Sequence, residues 1–168
     1  ELALSSYERE TIRFAKNNCK AVIAVINSSN PMQIGELLSG ELECDAVIFI
    51  GAPGLRGIQS FADILVGKVN PSGRTPDIWE TDLLGNPAMK NWGNFHYTNS
   101  DGMTIASNYS GAGLYFQEYA EGIYIGYRYY ETASALGAIE YGTSDGRGAV
   151  IAQGAVSYPF GYGLSYTS

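Results

Sequence analysis

Residues 46–76, AVIFIGAPGLRGIQSFADILVGKVNPSGRTP, decide the fold. Ala46-Val47-Ile48-Phe49-Ile50 is a continuous apolar run rich in β-branched residues. That is the pattern of a strand buried on both faces of a parallel sheet. Gly51, Gly54 and Gly57, with Pro53 among them, then turn the chain sharply. From Ile58 the period lengthens, and Ile58, Phe61, Ala62, Leu65 and Val66 recur at helical spacing opposite Gln59, Ser60 and Asp63. This predicts an amphipathic helix laid back on the sheet. Gly67 suits the left-handed residue past the helix end, and Asn70-Pro71-Ser72-Gly73 reads as a turn.

Toward the N-terminus, Ser5-Ser6-Tyr7-Glu8 is a capping box opening a helix over 4–17, with Tyr7, Thr11 or Ile12, and Ala15 as its inner stripe. A second apolar run, Ala21 to Ile26, predicts another parallel strand, and a short helix over 32–38 follows the loop 27–31. Helix, strand, helix, strand, helix is the order of a doubly wound α/β fold. The expectation is one domain over 1–168, a three-layer α/β sandwich with a mostly parallel central sheet and long aromatic, Gly-rich loops.

After Pro76 the regular pattern lapses. Residues 77–118 scatter Trp79, Trp92, Phe95, Tyr97, Tyr109, Tyr115 and Phe116 among Gly, Asn and Ser. A loop this long within a compact domain is commonly functional. Within Tyr119 to Tyr130 the odd positions 123–129 alternate with even ones, which predicts a strand or extended segment. A Gly-rich patch covers 137–154, and the chain closes with Tyr158-Pro159-Phe160-Gly161-Tyr162-Gly163-Leu164-Ser165-Tyr166.

The 168 residues allow one real core. A net charge of −7 argues against nucleic acid or anionic membrane as partner, since both attract clustered Lys and Arg. No apolar stretch approaches the ~20 residues that span a bilayer. Cys19 and Cys44 are too few for a disulfide scaffold and read as small hydrophobes flanking strands. Glu1 is not a natural start, so the chain reads as a piece of a larger polypeptide, and its compartment, cytoplasmic or secreted, stays open.

Few motifs carry chemistry by themselves. Gly51, Gly54 and Gly57 sit where phosphate-binding loops lie, but the spacing is not that of a dinucleotide fingerprint and no P-loop lysine follows. A tight strand-to-helix turn is the better reading. His96 is the single histidine, and the cysteines lack zinc-ligand spacing. No motif supports a Ser-His-Asp triad or a multi-His metal site. The aromatic loops either fill the core or a contact with another domain, or stack on sugar rings, whose C–H faces are apolar. Glu121 and Arg128 read as a structural ion pair.

Taken together the motifs say more. Ala62-Asp63-Ile64-Leu65-Val66-Gly67-Lys68-Val69-Asn70-Pro71-Ser72-Gly73-Arg74-Thr75-Pro76 resembles a signature of family-3 glycoside hydrolases, the β-glucosidase type. Glu121-Gly122-Ile123-Tyr124-Ile125-Gly126-Tyr127-Arg128-Tyr129-Tyr130 and Tyr158 to Tyr166 resemble two further blocks in the same order. Trp92-Gly93-Asn94-Phe95 and Gly51-Ala52-Pro53-Gly54 are similar to the clostridial and ruminal branch, whereas Leu55-Arg56 departs from a Gln-Glu pair found in many relatives.

The resemblance implies the family's second domain, an α/β sandwich packed on a separate (β/α)8-type barrel. It further implies an Asp nucleophile on the barrel and, commonly, a Glu acid/base in a Ser-Gly-Glu-Gly-type motif. Neither motif occurs in this chain, so no catalytic residue is expected here and the chain alone should be inactive. Retaining hydrolysis needs two carboxyls about 5–5.5 Å apart. Trp92, Phe95, Tyr97, Tyr119, Glu121 and Arg128 are the candidates for a surface facing the β-linked substrate or the barrel. A non-catalytic carbohydrate-binding module and a structural docking module are the alternatives.

Overall fold

The computed structural model describes residues 3–93, 95–98, 115–144, 150–151 and 154–167. The chain is an α/β sandwich with mixed parallel and antiparallel sheets. Helix α1, Ser6–Asn18, opens on the expected box: Ser5 Oγ accepts from the Glu8 N–H at 3.3 Å, and Glu8 Oε2 accepts from the Ser5 N–H at 2.8 Å. Those bonds satisfy amides that the helix itself leaves without partners. Ser5→Ala is expected to cost about 1 kcal/mol, read as a lower urea midpoint at unchanged slope; an unmoved midpoint would mean that the box does not hold the helix.

Strands β1, Ile23–Ile26, and β2, Ala46–Phe49, pair in parallel with Ile23 opposite Ala46 and Ile26 opposite Phe49. Among the strands of the described residues this is the one parallel pair, the other strand pairs are antiparallel, and a lone parallel bridge joins Ala3 to Gln33. Helix α2, Gly35–Leu38, lies between β1 and β2 in the chain, and helix α3, Gly54–Leu65, follows β2. Arg9 and Arg13 on α1 clasp Glu36 and Glu41 around α2.

Two cores divide the interior, and one strand separates them. In β3, Trp79–Glu80, and the residue before it, successive side chains point to opposite sides, as a pleated strand requires. Trp79 packs with Ile26, Ile34 and Leu37 under the parallel pair, its ring edge-on to Phe49 with centroids 5.1 Å apart. Ile78 faces the other way, into a cluster with Tyr130 and Val156. Val156 belongs to β8, Val156–Tyr158, which pairs antiparallel with β3 through an irregular register at Trp79/Glu80.

The three motif blocks at 62–76, 121–130 and 158–166 converge. Thr75 is the clasp. Its N–H donates to the Tyr162 carbonyl at 2.7 Å, its own carbonyl accepts from Gly161 at 2.9 Å, and its hydroxyl lies 2.6 Å from the Pro159 carbonyl. Asn70 holds the far end, donating to Thr167 Oγ1 and accepting from the Tyr166 N–H, each at 2.7 Å. Tyr127, in helix α5, Tyr127–Ala135, stacks on Phe160 at 4.7 Å.

Several expectations need correction. The run 119–130 is not an extended strand. A turn covers 120–123 and α5 begins at Tyr127, because Gly122 and Gly126 take φ of 57° and 53°, a region closed to most side chains. Helix α3 starts at Gly54, not Ile58, since the Gly57 N–H already bonds the Pro53 carbonyl at 3.1 Å. Asn70–Gly73 is not a turn, because its groups are engaged by the C-terminal block instead.

The segment 77–118 is also less irregular than expected. It holds β3, a 3₁₀ turn over Leu83–Gly85, helix α4, Pro87–Lys90, and strands β4, Phe95–His96, and β5, Tyr115–Phe116, which pair antiparallel. Its centre, with Tyr109, and Asn94 lie outside the described residues. Thr143–Ser144 and Val150–Ile151 form β6 and β7 within the Gly-rich patch. Cys19 is exposed at the end of α1, not packed, whereas Cys44 is half-buried against the first core, and burial pushes its thiol up.

Candidate functional site

The candidate residues sit on the irregular side of β3. Asp82 caps the 3₁₀ turn by accepting from the Leu84 N–H at 3.0 Å. Asn86 then caps α4, accepting from the Ala88 N–H at 2.9 Å, with Pro87 at the first helical position, where no amide is needed. Asn86 Nδ2 also donates to Glu80 Oε1 at 2.8 Å, which anchors this excursion in the interior. Glu80 is only 5% exposed. Desolvation pushes its carboxyl above the usual range against the bond from Asn86.

Beyond α4 the surface is aromatic. Trp92 is 67% exposed, Tyr119 is 72% exposed, and Phe95 and Tyr97 also face solvent. Phe116 is the hinge of the cluster, its ring 5.9 Å from Phe95 and 4.7 Å from Tyr97. Gly93 is pressed against Phe95, where an added Cβ would sit 3.1 Å from the ring. Asn91, the residue before Trp92, donates to Glu121 Oε2 at 2.6 Å. That bond draws the turn carrying Tyr119 and Glu121 to the end of α4.

The structure brings Glu121 to Asn91, the residue before Trp92 in the chain, and it brings Phe95 and Tyr97 to one another through Phe116. Arg128 is elsewhere, near the start of α5, its guanidinium 5.8 Å from the Tyr127 ring centre. It forms no ion pair with Glu121, whose partner is Asn91, and this corrects the expected Glu121–Arg128 bridge. His96 lies exposed on β4. Among the described residues no group of three or more His, Cys, Asp or Glu is placed to hold a metal ion.

Asn91 and the Glu80–Asn86 pair were not singled out by the sequence reading, and Phe116 was named only among the scattered aromatics. Asn86-Pro87 did carry a signal: a capping residue followed by proline opens many helices. Exposed aromatic faces beside a carboxylate and an amide suit stacking on a sugar ring with hydrogen bonds to its hydroxyls. Glu121 is the carboxylate that Asn91 holds beside Trp92. Double displacement at a glycosidic bond requires two.

The sequence profile of the glycosyl hydrolase family 3 C-terminal domain matches residues 1–127. A β-glucosidase of Ruminococcus albus is 29% identical over 98% of this chain and 13% of its own length. β-Glucosidase A of Butyrivibrio fibrisolvens is likewise 29% identical, over 98% of this chain and 16% of its own. This chain thus spans about one seventh of such relatives. The structure of a β-glucosidase from Paenibacillus barengoltzii superposes with a TM-score of 0.71 at 27% identity, over 98% of this chain and 14% of that one. A β-D-glucoside glucohydrolase from Trichoderma reesei shares the fold with a TM-score of 0.62 at 21% identity, over 100% of this chain and 18% of that one.

Proposed function

The chain belongs to the glycosyl hydrolase family 3 C-terminal domain family, and from that premise we propose that it is the non-barrel domain of a retaining, exo-acting β-glycosidase of β-glucosidase type. The parent enzyme removes terminal β-linked sugars, and this domain walls the pocket on one side while a (β/α)8-type barrel carries the rest. The reaction needs no metal or organic cofactor, since attack and protonation both fall to carboxyl groups. Similarity at Gly51-Ala52-Pro53-Gly54 supports a parent of the clostridial and ruminal branch.

One observation carries the reading: Trp92 and Tyr119 are exposed, and Asn91 beside Trp92 holds the Glu121 carboxylate. Such groups suit recognition of a sugar or a partner domain, and neither of the family's catalytic motifs occurs in this sequence. The isolated chain is therefore expected to leave an aryl β-glucoside intact; turnover that survives repurification overturns the proposal. In the full-length enzyme, Trp92→Ala should lower kcat/KM about tenfold, roughly 1.4 kcal/mol of transition-state stabilisation, at an unaltered melting temperature. A lowered melting temperature with intact kinetics would make Trp92 a docking residue instead.

The same exposed rings favour a second reading, a carbohydrate-binding module that acts without catalysis. Calorimetry of the isolated chain with glucose and with cellobiose separates the two. Heat of binding supports the module, whereas silence leaves the pocket wall.

A further inference from the structure

Cys19 and Cys44 line one cleft. It has a volume of about 430 Å³ and lies where the end of α1 meets the first residues of both parallel strands, with Lys16, Val22 and Asp45 also in its walls. Lys16 fixes this meeting, its ammonium donating to the Glu43 carbonyl. Cys19 follows Lys16 by about one helical turn, so both side chains leave the end of α1 on the same side. The Cys19 N–H still bonds the Ala15 carbonyl at 2.8 Å, which keeps the residue against the helix.

The opposite wall is held as firmly. The Val22 N–H donates to Asp45 Oδ2 at 2.7 Å, and the Asp45 N–H donates to the Val22 carbonyl at 2.9 Å. Pairing of the two strands therefore begins at the residue after Cys44, whose own N–H bonds the Leu37 carbonyl at 3.0 Å. Both thiols are free, Cys19 open to solvent and Cys44 half-buried. Burial pushes the Cys44 thiol up against the pull of Lys16, so the exposed Cys19 is the first of the two to react. Among the described residues neither belongs to a group placed to hold a metal ion.

We propose that Cys19 and Cys44 are a reversible disulfide pair, closed by exchange with a small-molecule disulfide such as oxidised glutathione. The Cys19 thiolate attacks one sulfur of the reagent, which forms a mixed disulfide and expels one glutathione thiolate to take up the proton that Cys19 lost. The Cys44 thiolate then attacks the Cys19 sulfur. The protein disulfide forms, the mixed disulfide breaks, and the second glutathione leaves with the Cys44 proton. Two protein thiols are oxidised and one glutathione disulfide is reduced. The bond needs Cα atoms about 4.4–6.8 Å apart, and the last turn of α1, where helices fray, is the part able to adjust. Once closed, it ties the end of α1 to the start of β2 across a loop that holds β1 and α2.

Peptide mapping tests this independently of any catalytic assay. The full-length gene product is incubated with oxidised glutathione, digested without reductant and analysed by mass spectrometry. The peptides carrying Cys19 and Cys44 should be recovered joined, at their summed mass less two hydrogens, and should separate in dithiothreitol. Cys44→Ser should stop the reaction at a glutathione adduct on Cys19. Glutathione on both cysteines with no link between them overturns the proposal. So do two thiols left unmodified, and so do links found only between separate molecules on a non-reducing gel.

Discussion

Gly163→Ala is expected to destabilise the chain by about 3 kcal/mol, near the upper end of what overpacking costs. An added Cβ at Gly163 would lie 2.2 Å from the Gly73 carbonyl oxygen, 2.9 Å from Arg74 Nη1 and 3.0 Å from Arg74 Cδ. The arginine can swing away, but the carbonyl is backbone within a segment fixed at both ends. Relief requires the 70–76 segment to part from 158–167. That strains the Thr75–Tyr162 and Thr75–Gly161 bonds and the contacts of Asn70 with Thr167 and Tyr166. Gly161→Ala is the control. Gly161 has φ of 77° with nothing within 4 Å of the new atom, so its cost is backbone strain alone, roughly 1–2 kcal/mol. Urea denaturation should rank Gly163→Ala clearly below Gly161→Ala. The reverse order would show that the clasp yields where the geometry says it cannot.

This clasp explains why the sequence was legible in some places and not in others. Local signals survived where the structure satisfies them locally. The Ser5–Glu8 box forms as written, the runs at 23–26 and 46–49 pair in parallel, and Gly67 takes its left-handed φ of 73°. Asn70-Pro71-Ser72-Gly73 has turn chemistry too. Its polar groups, however, are taken by residues almost a hundred positions later, and that competition leaves no local trace. At 119–130 two periods coexist. Ile123, Ile125, Tyr127 and Tyr129 alternate, while Tyr127, Tyr130 and Ser134 lie on one helical face. Burial of Tyr130 against Ile78 and Val156 selects the helix.

The expectation of a strand buried on both faces failed for a different reason. Apolar composition does not say what covers a strand, and Phe49 of β2 is 38% exposed. Legibility at the candidate site divides in the same way. Exposed Trp92 and Tyr119 announced themselves by residue type, because large aromatics amid Gly and Asn are conspicuous. The amides that position them did not. Asn91 and Asn86 act by hydrogen bonds to Glu121 and Glu80, each many atoms from its own backbone, and asparagine in a loop is ordinarily read as turn chemistry.

Asn86→Ala should be the second large effect, with a pH dependence that identifies its cause. Asn86 has two tasks. Its Oδ1 caps α4 through the Ala88 N–H, a contribution of about 1 kcal/mol, and its Nδ2 is the side-chain donor to the buried Glu80. Loss of that donor leaves a desolvated carboxylate under-satisfied, at about 1–3 kcal/mol. The sign follows from protonation. Burial raises the Glu80 carboxyl above its ordinary value in the folded chain, so the folded state holds this proton more tightly than the unfolded state. Glu80 therefore favours folding most at pH below its unfolded pKa, and stability falls as pH rises from there to the raised folded value. Removing the Asn86 donor raises the folded value further. Asn86→Ala should accordingly be mildest in acid and worsen toward neutrality. Glu80→Gln keeps an acceptor for Asn86 but cannot ionise, and it should match the wild type in acid and exceed it in stability at neutral pH. Combined with Glu80→Gln, Asn86→Ala should lose its pH dependence and retain only the cost of the cap and the missing amide bond. Denaturation midpoints for the four proteins at acid and neutral pH decide the matter. A pH-independent loss in Asn86→Ala would assign its role to the α4 cap alone.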